Sequence, residues 1–150
     1  MPSCIRHAIP ADIPTIMLLE RDSATAAHWS REQYENAFSG DAPSRIVLVV
    51  EEDAGLQGFI AGRELGTEWE IENIAVTASG RRCGLGTQLL EEFLKLARGR
   101  RAEVVFLEVR ESNVAARKLY EKWAFVESAQ RKHYYREPDE DAIIYRLDLL

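Results

Sequence analysis

Residues 71–87 read IENIAVTASGRRCGLGT, and their end runs into residues 85–97, a segment with apolar side chains at helical spacing. Ile71, Ile74 and Val76 predict a strand, Ala78 to Arg82 a turn, and Gly84 and Gly86 fall where a helix begins. The first N–H groups of a helix have no intrahelical partners and its dipole is positive there, which makes a helix start an anion site. Glycines let the backbone come close to a ligand, and Arg81 and Arg82 stand beside them. The stretch therefore suits a phosphate or pyrophosphate.

Downstream, Leu85, Leu89, Phe93 and Leu96 with Ala97 predict one apolar helical face, and residues 103–109 a strand. Strand, helix, strand without a hairpin implies a parallel crossover. Ser112 or Asn113 caps a further helix, whose Ala116, Leu119, Tyr120 and Trp123 share a face. Residues 125–128 and 142–149 read as closing strands around a polar, turn-rich segment, 133–141. Upstream, residues 45–52 and 57–64 flank the turn Asp53-Ala54-Gly55 as a hairpin. Gly66 and Thr67 then turn the chain into the strand ending at Val76, so three antiparallel strands follow one another.

Residues 4–9 predict an opening strand. Residues 10–21 carry Ile13, Ile16, Met17 and Glu20 at helical spacing, with Pro10 and Pro14 tolerable only in or before the first turn. Ser30, three residues before Gln33, makes a capping box ahead of a short helix with the stripe Tyr34, Ala37 and Phe38. The expected order is β α α β β β α β α β β on a mixed sheet, an α+β layer architecture.

The 150 residues fit one domain with a real core, and no apolar run approaches the ~20 residues that span a membrane. The start, MPSCIRHAIP, has neither a charged n-region nor an apolar h-region, so the expectation is a cytoplasmic protein that does not engage a membrane. A formal charge of -6 argues against nucleic acid as a partner, because phosphate neutralisation needs a dense basic face. Arg81, Arg82, Arg98, Arg100 and Arg101 are a local exception around one helix. Those near its start suit a small phosphorylated ligand, and those near its end suit a solvated surface equally well. Cys4 and Cys83 fit neither a disulfide framework nor a metal site, so no metal is expected. Cys83 has no His or acid near it in sequence and reads as a tolerated loop residue rather than a nucleophile. The sequence carries no signal for an oligomeric state.

A glycine-rich turn between strand and helix invites two nucleotide readings. A Walker loop needs Gly-Lys before Ser or Thr, and here Gly86 is followed directly by Thr87. A dinucleotide fingerprint needs a third glycine where Leu89 stands, and the remaining chain lacks the further βαβ units. Both readings fail.

With the strand NIAV, the loop RRCGLGT, the strand and turn FLEVRESN and the helix AARKLYEKWAF in this order and spacing, the chain resembles the GNAT acetyltransferase superfamily. Within it the resemblance is to the RimI-type ribosomal-protein-alanine N-acetyltransferases, and it is strongest over residues 72–125. It implies the GNAT acyl-CoA N-acyltransferase fold, a mixed, mostly antiparallel sheet of about seven strands with about four helices, and acetyl-CoA as cosubstrate. It implies that Ile74, Ala75 and Val76 lend backbone groups to the pantetheine arm and acetyl carbonyl. Arg81, Arg82, Cys83, Gly84, Leu85, Gly86 and Thr87 would hold the pyrophosphate, and Asn113 would bond the pantetheine. Glu108 would be the general base and Tyr120 the general acid. Tyr134 and Tyr135, in RKHYY, resemble a tyrosine pair over the acceptor peptide, with Glu72 near the acceptor. The implied partner is a protein N-terminus, that of a ribosomal protein. The superfamily's Gly-Phe at the end of this helix is Ala124-Phe125 here, which would cost alanine ~1 kcal/mol or more if φ is positive.

Acetyl transfer needs a neutral amine, a place for the oxyanion and a proton for the departing thiolate. An α-amine with pKa near 8 is roughly 10% neutral at pH 7, and a lysine near 10.4 is below ~0.1%, so the α-amine is the easier acceptor. A glutamate with an ordinary pKa is a weak base, so Glu108 would need burial or a water relay. Each residue also has a plainer reading: Glu108 facing water, Tyr120 in the core, Asn113 as a helix cap, Glu72 as a polar strand position, His133 on the surface. Glu137, Asp139, Glu140 and Asp141 either attract a basic peptide or are solvated. Two rival functions stand beside this one: the same fold acting on a small-molecule amine or lysine, and a coenzyme A-binding module without turnover.

Overall fold

The computed structural model describes residues 3–22, 30–38, 44–136 and 139–149. The chain runs through β1 (Cys4–His7), a 3-10 turn (Pro10–Asp12), α1 (Ile13–Arg21), α2 (Arg31–Ala37), β2 (Arg45–Glu52), β3 (Gly55–Leu65) and β4 (Glu68–Val76). It continues through α3 (Ala78–Arg82), α4 (Leu85–Gly99), β5 (Val104–Arg110), α5 (Val114–Lys122), β6 (Val126–Arg136) and β7 (Asp139–Asp148). The strands form one sheet in the order β1-β2-β3-β4-β5-β7-β6. All neighbours are antiparallel except β4 and β5, the parallel pair joined by the α3–α4 crossover.

Local chemistry sets the helix ends. Pro14 sits in the first turn of α1, where a missing N–H costs nothing. Ser30 Oγ accepts from the Gln33 N–H at 3.2 Å while Gln33 Oε1 accepts from the Ser30 N–H at 2.7 Å, the expected capping box of α2. Of the two candidates for the cap of α5 it is Asn113, whose Oδ1 accepts from the Ala116 N–H at 3.1 Å. The same helix ends in a Schellman motif: Phe125 N–H donates to Tyr120 O at 3.0 Å and Ala124 N–H to Glu121 O at 3.1 Å. The Phe125 and Tyr120 rings meet edge-on at 5.8 Å, the apolar contact that accompanies this motif. Ala124 occupies its left-handed position with φ 72°.

One face of the sheet carries the larger core. On it, Leu85, Leu89, Leu90, Phe93, Leu94 and Ala97 of α4 and Tyr120 of α5 pack on Ile60, Trp69, Ile71, Val105, Leu107 and Val109. Leu96, expected on this face, packs only at its rim, and Leu90 and Leu94 widen the buried stripe. Each fully buried Leu or Phe contributes roughly 1.5–3 kcal/mol. The Phe93 ring fills the space a Cβ on Gly62 would need, with atoms 2.5 Å from that position, so glycine is required for α4 to approach β3. On the other face Ile13, Ile16 and Tyr34 of α1 and α2 cover Val47, Val49, Phe59, Ala61 and Ala75.

Two expectations need correction. Residues 78–82, read as a turn, are the short helix α3, because Thr77 Oγ1 accepts from the Gly80 N–H at 3.0 Å and caps it. Residues 133–141, read as turn-rich, are for the most part strand: β6 and β7 extend through them, opposite each other at Tyr135↔Glu140 and Arg136↔Asp139. Residues 126–134 on the edge strand are all exposed, so no apolar alternation marks them.

Replacing Ala124 by Gly removes a Cβ from a left-handed position and should stabilise the fold by ~1 kcal/mol. Thermal unfolding should show a midpoint about 2–4 °C higher, and a lower midpoint would contradict the strain assigned here.

Candidate active site

The site originates in a register fault. Across β3 and β4, Ala61 pairs with Asn73 and Gly62 with Ile71, so Glu72 is an extra residue, a β-bulge. The bulge switches the alternation: Trp69 and Ile71 face the α4 core, whereas Asn73 and Ala75 face α1 and α2. It also marks where β4 leaves β5, since their pairing runs only from Glu68↔Val104 to Ile71↔Leu107. Beyond this point the β5-facing edge of β4 has no strand partner, and a cleft of about 640 Å³ opens between residues 71–76 and 107–110.

The cleft is lined by Ile74, Ala75 and Val76 of β4 and, on the α4 side, by Arg81, Gly84, Gly86, Thr87 and Asn113. Gly84, with φ 72°, is the N-cap of α4, and no side chain caps that helix start. Among the described residues, a Cβ on either Gly84 or Gly86 would meet nothing within 4 Å, so both glycines border open space at the helix start. An uncapped helix start beside the Arg81 guanidinium fits a pyrophosphate. The unpaired edge of Ile74–Val76 offers N–H and C=O groups to an extended amide-bearing arm such as pantetheine. Asn113 Oδ1 is committed to its cap, which leaves the amide NH₂ for that arm. Leu85 and Cys83 do not line the cleft: Leu85 is buried in the core and can contribute only its backbone, and Cys83 is exposed. The Arg82 side chain and Glu137 lie outside the described residues.

The two expected catalytic side chains approach from opposite faces of the sheet. Glu108 projects from β5 on the face away from α4, between the buried Leu107 and Val109, and Tyr120 reaches the cleft from α5 on the α4 face. Glu108 pairs with Arg131 at 3.3 Å and its side chain is about 26% exposed, so the burial asked of a directly acting base is incomplete. Tyr120 is buried, which holds its hydroxyl pKa well above the ordinary tyrosine value, and no described residue hydrogen-bonds that hydroxyl.

Glu72 and Tyr135 line the cleft, and Tyr134 is exposed at its rim with its ring edge-on to Tyr135 at 5.2 Å. The Glu108 charge raises the pKa of Tyr134, and burial, aided by Glu108, pushes Tyr135 up to about 12, so both remain hydrogen-bond donors at neutral pH. The Glu72 carboxyl is raised, first by burial and against the pull of Arg45 at 3.2 Å. Its Oε1 is buried and among the described residues takes part in no hydrogen bond. His133 stays on the surface, its ring on Asp139 at 2.9 Å.

Three further residues brace the cleft, of which Asn73 lines it. Asn73, next to the bulge, donates from Nδ2 to Glu20 Oε2 at 2.5 Å, and the Tyr34 hydroxyl donates to the same oxygen. Both Glu20 and Asn73 are buried, and the three groups tie α1 and α2 to β4 at the point where the cleft begins. In sequence only the spacing of Glu20 on an otherwise apolar stripe hinted at it.

The profile of the Acetyltransferase (GNAT) family matches residues 13–125. A ribosomal protein bS18-alanine N-acetyltransferase from Salmonella typhimurium is 35% identical over 141 residues, covering 92% of this chain and 92% of the relative. The crystal structure of the ribosomal-protein-S18-alanine N-acetyltransferase from Escherichia coli superposes with a TM-score of 0.87 at 28% identity, covering 99% of this chain and 94% of that one. Ard1 from Thermoplasma volcanium superposes at 0.89 and 28% identity, covering 100% and 99%. The chain belongs to the GNAT acetyltransferase family and is an N-acetyltransferase with the family's fold.

A carboxyl raised in the folded state stabilises only while protonated: its contribution is complete below the unfolded value near 4.5 and is lost as pH rises through the folded value. Glu72→Gln should therefore raise the thermal midpoint at pH 7–8, with the gain vanishing toward pH 4. A loss at pH 7 would mean that Arg45 outweighs burial, and a gain independent of pH would mean that the buried charge of Glu72 is not its cause.

Proposed function

We propose that this GNAT domain, residues 1–150, transfers the acetyl group of acetyl-CoA to the N-terminal α-amine of a protein, a ribosomal protein as in the names of its relatives, in the cytoplasm. The proposed partners include neither nucleic acid, against which the formal charge of -6 argues, nor a membrane; among the described residues no helix is long and apolar enough to cross one. The observation that carries the reading is the through-sheet gap, with an anion-binding helix start on one face and carboxylates on the other.

Arg81 and the backbone of residues 82–87 hold the pyrophosphate, and Asn113 with the free edge of Ile74–Val76 hold the pantetheine arm. When bound, acetyl-CoA supplies a thioester carbonyl to the gap. Backbone N–H groups of the free β4 edge polarise that carbonyl. Glu108, partly exposed and paired with Arg131, takes the proton of the attacking amine through a water. The amine nitrogen forms the new bond to the carbonyl carbon as the carbon–sulfur bond breaks, without an acyl-enzyme. Tyr120, kept protonated by burial, holds its proton against the sulfur as negative charge develops there. Glu72, Tyr134 and Tyr135 line the acceptor's approach, and their charge and donors suit a free amino terminus followed by basic residues.

Release of free thiol from acetyl-CoA should occur with peptides bearing a free N-terminus, headed by an alanine-starting basic peptide, and not with the same peptides blocked at the α-amine. Glu108→Gln and Tyr120→Phe should each lower turnover by ~10² or more. Turnover confined to polyamines or to an Nα-blocked lysine peptide would keep the family and overturn the acceptor. A loss below about tenfold in either variant would remove that residue from its role.

A further inference from the structure

Beyond Glu108 on the same face of β5 stands Arg110, which the reaction does not use. Its guanidinium carbon lies 4.1 Å from the centroid of the Tyr135 ring, a cation–π stack on the residue that walls the acceptor side of the cleft. Its Nη1 pairs with Glu140 Oε1 at 3.4 Å, and only 18% and 14% of the two side chains are exposed, so solvent screens the pair little. Glu140 stands directly across from Tyr135 on β7, and its other oxygen accepts the Ser112 N–H at 2.5 Å. Hydrogen bonding from Ser112, its side chain first and its N–H after it, holds the Glu140 carboxyl below the usual range, with Arg110 adding to the effect. Ser112 immediately precedes Asn113, the cap of α5 and a lining residue on the α4 side.

The chain of contacts Tyr135, Arg110, Glu140, Ser112 therefore runs from the acceptor wall to the start of α5. We infer that Arg110, locked by Glu140, is a positioning residue for the acceptor: it holds the Tyr135 ring in place and ties the acceptor wall to the cofactor side. The inference rests on the proposed acetylation of a protein N-terminus. Tyr135 lies on β6, the exposed edge strand, whose register with β7 is irregular between Arg131 and Tyr135. The ladder alone therefore fixes this ring poorly. A planar guanidinium can stack on it and meet a carboxylate in its own plane, which a lysine cannot do.

The test is steady-state acetylation of an alanine-starting basic peptide by wild type, Arg110→Met, Arg110→Lys, Tyr135→Leu and the double variant Arg110→Met/Tyr135→Leu. The KM of the peptide and of acetyl-CoA are measured separately, beside thermal unfolding. Arg110→Met should raise the peptide KM about tenfold, as expected for a desolvated cation–π contact, and the acetyl-CoA KM by less than about twofold. Arg110→Lys should recover only part of the loss, and the double variant should be no worse than the poorer single one. If Arg110→Met does not fold, Glu140→Gln supplies the readout, with a smaller rise in peptide KM. Losses that multiply in the double variant, an acetyl-CoA KM that rises as much as the peptide KM, or an unchanged peptide KM would each overturn the inference while the functional reading stands. No peptide turnover by wild type would overturn both.

Discussion

Glu72 is one residue too many for the ladder between β3 and β4, and the active site follows from that surplus. A bulge bends its strand and breaks the alternation of faces. Here it lets β4 give Trp69 and Ile71 to the α4 core and Asn73 and Ala75 to the α1–α2 core, while steering the strand away from β5. The parallel pair holds for four residue pairs and then parts. An opened ladder leaves backbone groups without partners, which is costly unless a ligand or water takes them. The same cost underlies the proposed use of the β4 edge as a binding strip.

The fold polarises this gap. The face covered by α4 and α5 presents an uncapped helix start, Arg81 and a buried tyrosine hydroxyl. The opposite face presents Glu108, Glu72 and Tyr135, with Arg45 and Arg131 tempering the carboxylates. In the proposed reaction, anionic phosphates and a cationic amine are thus drawn to different faces of one sheet. Because the gap passes through the sheet, two substrates held on opposite faces can react directly. The buried Glu20, Tyr34 and Asn73 brace the bulge from the α1–α2 side, so packing and site geometry share residues there.

The strand, loop and helix around residues 71–99 were legible because glycines, arginines and a helical apolar stripe each leave a local mark. The Ser30 capping box and the left-handed strain at Ala124 were legible for the same reason, as both are set within a few residues. The bulge was not. Ile71, Ile74 and Val76 predict a strand without saying which face each takes, and only the pairing with β3 shows that the faces change. The length of β6 was hidden because residues 126–134, on an edge strand, are exposed throughout and carry no apolar pattern. Arg110 and Glu140 are thirty residues apart in sequence and meet only through the β5–β7 pairing. The sequence left open burial or a water relay for Glu108, because an apolar run at a strand end says nothing of Arg131, which arrives from another strand.

The central claim is that the parted strands and the α4 start together form the acetyl-CoA site. Amide hydrogen exchange with and without coenzyme A tests it directly, since exchange reports protection segment by segment. Slowed exchange confined to residues 74–76, residues 81–88 and the start of α5 is the predicted result. Protection spread elsewhere with these segments unchanged, or no protection at saturating coenzyme A, would contradict the account.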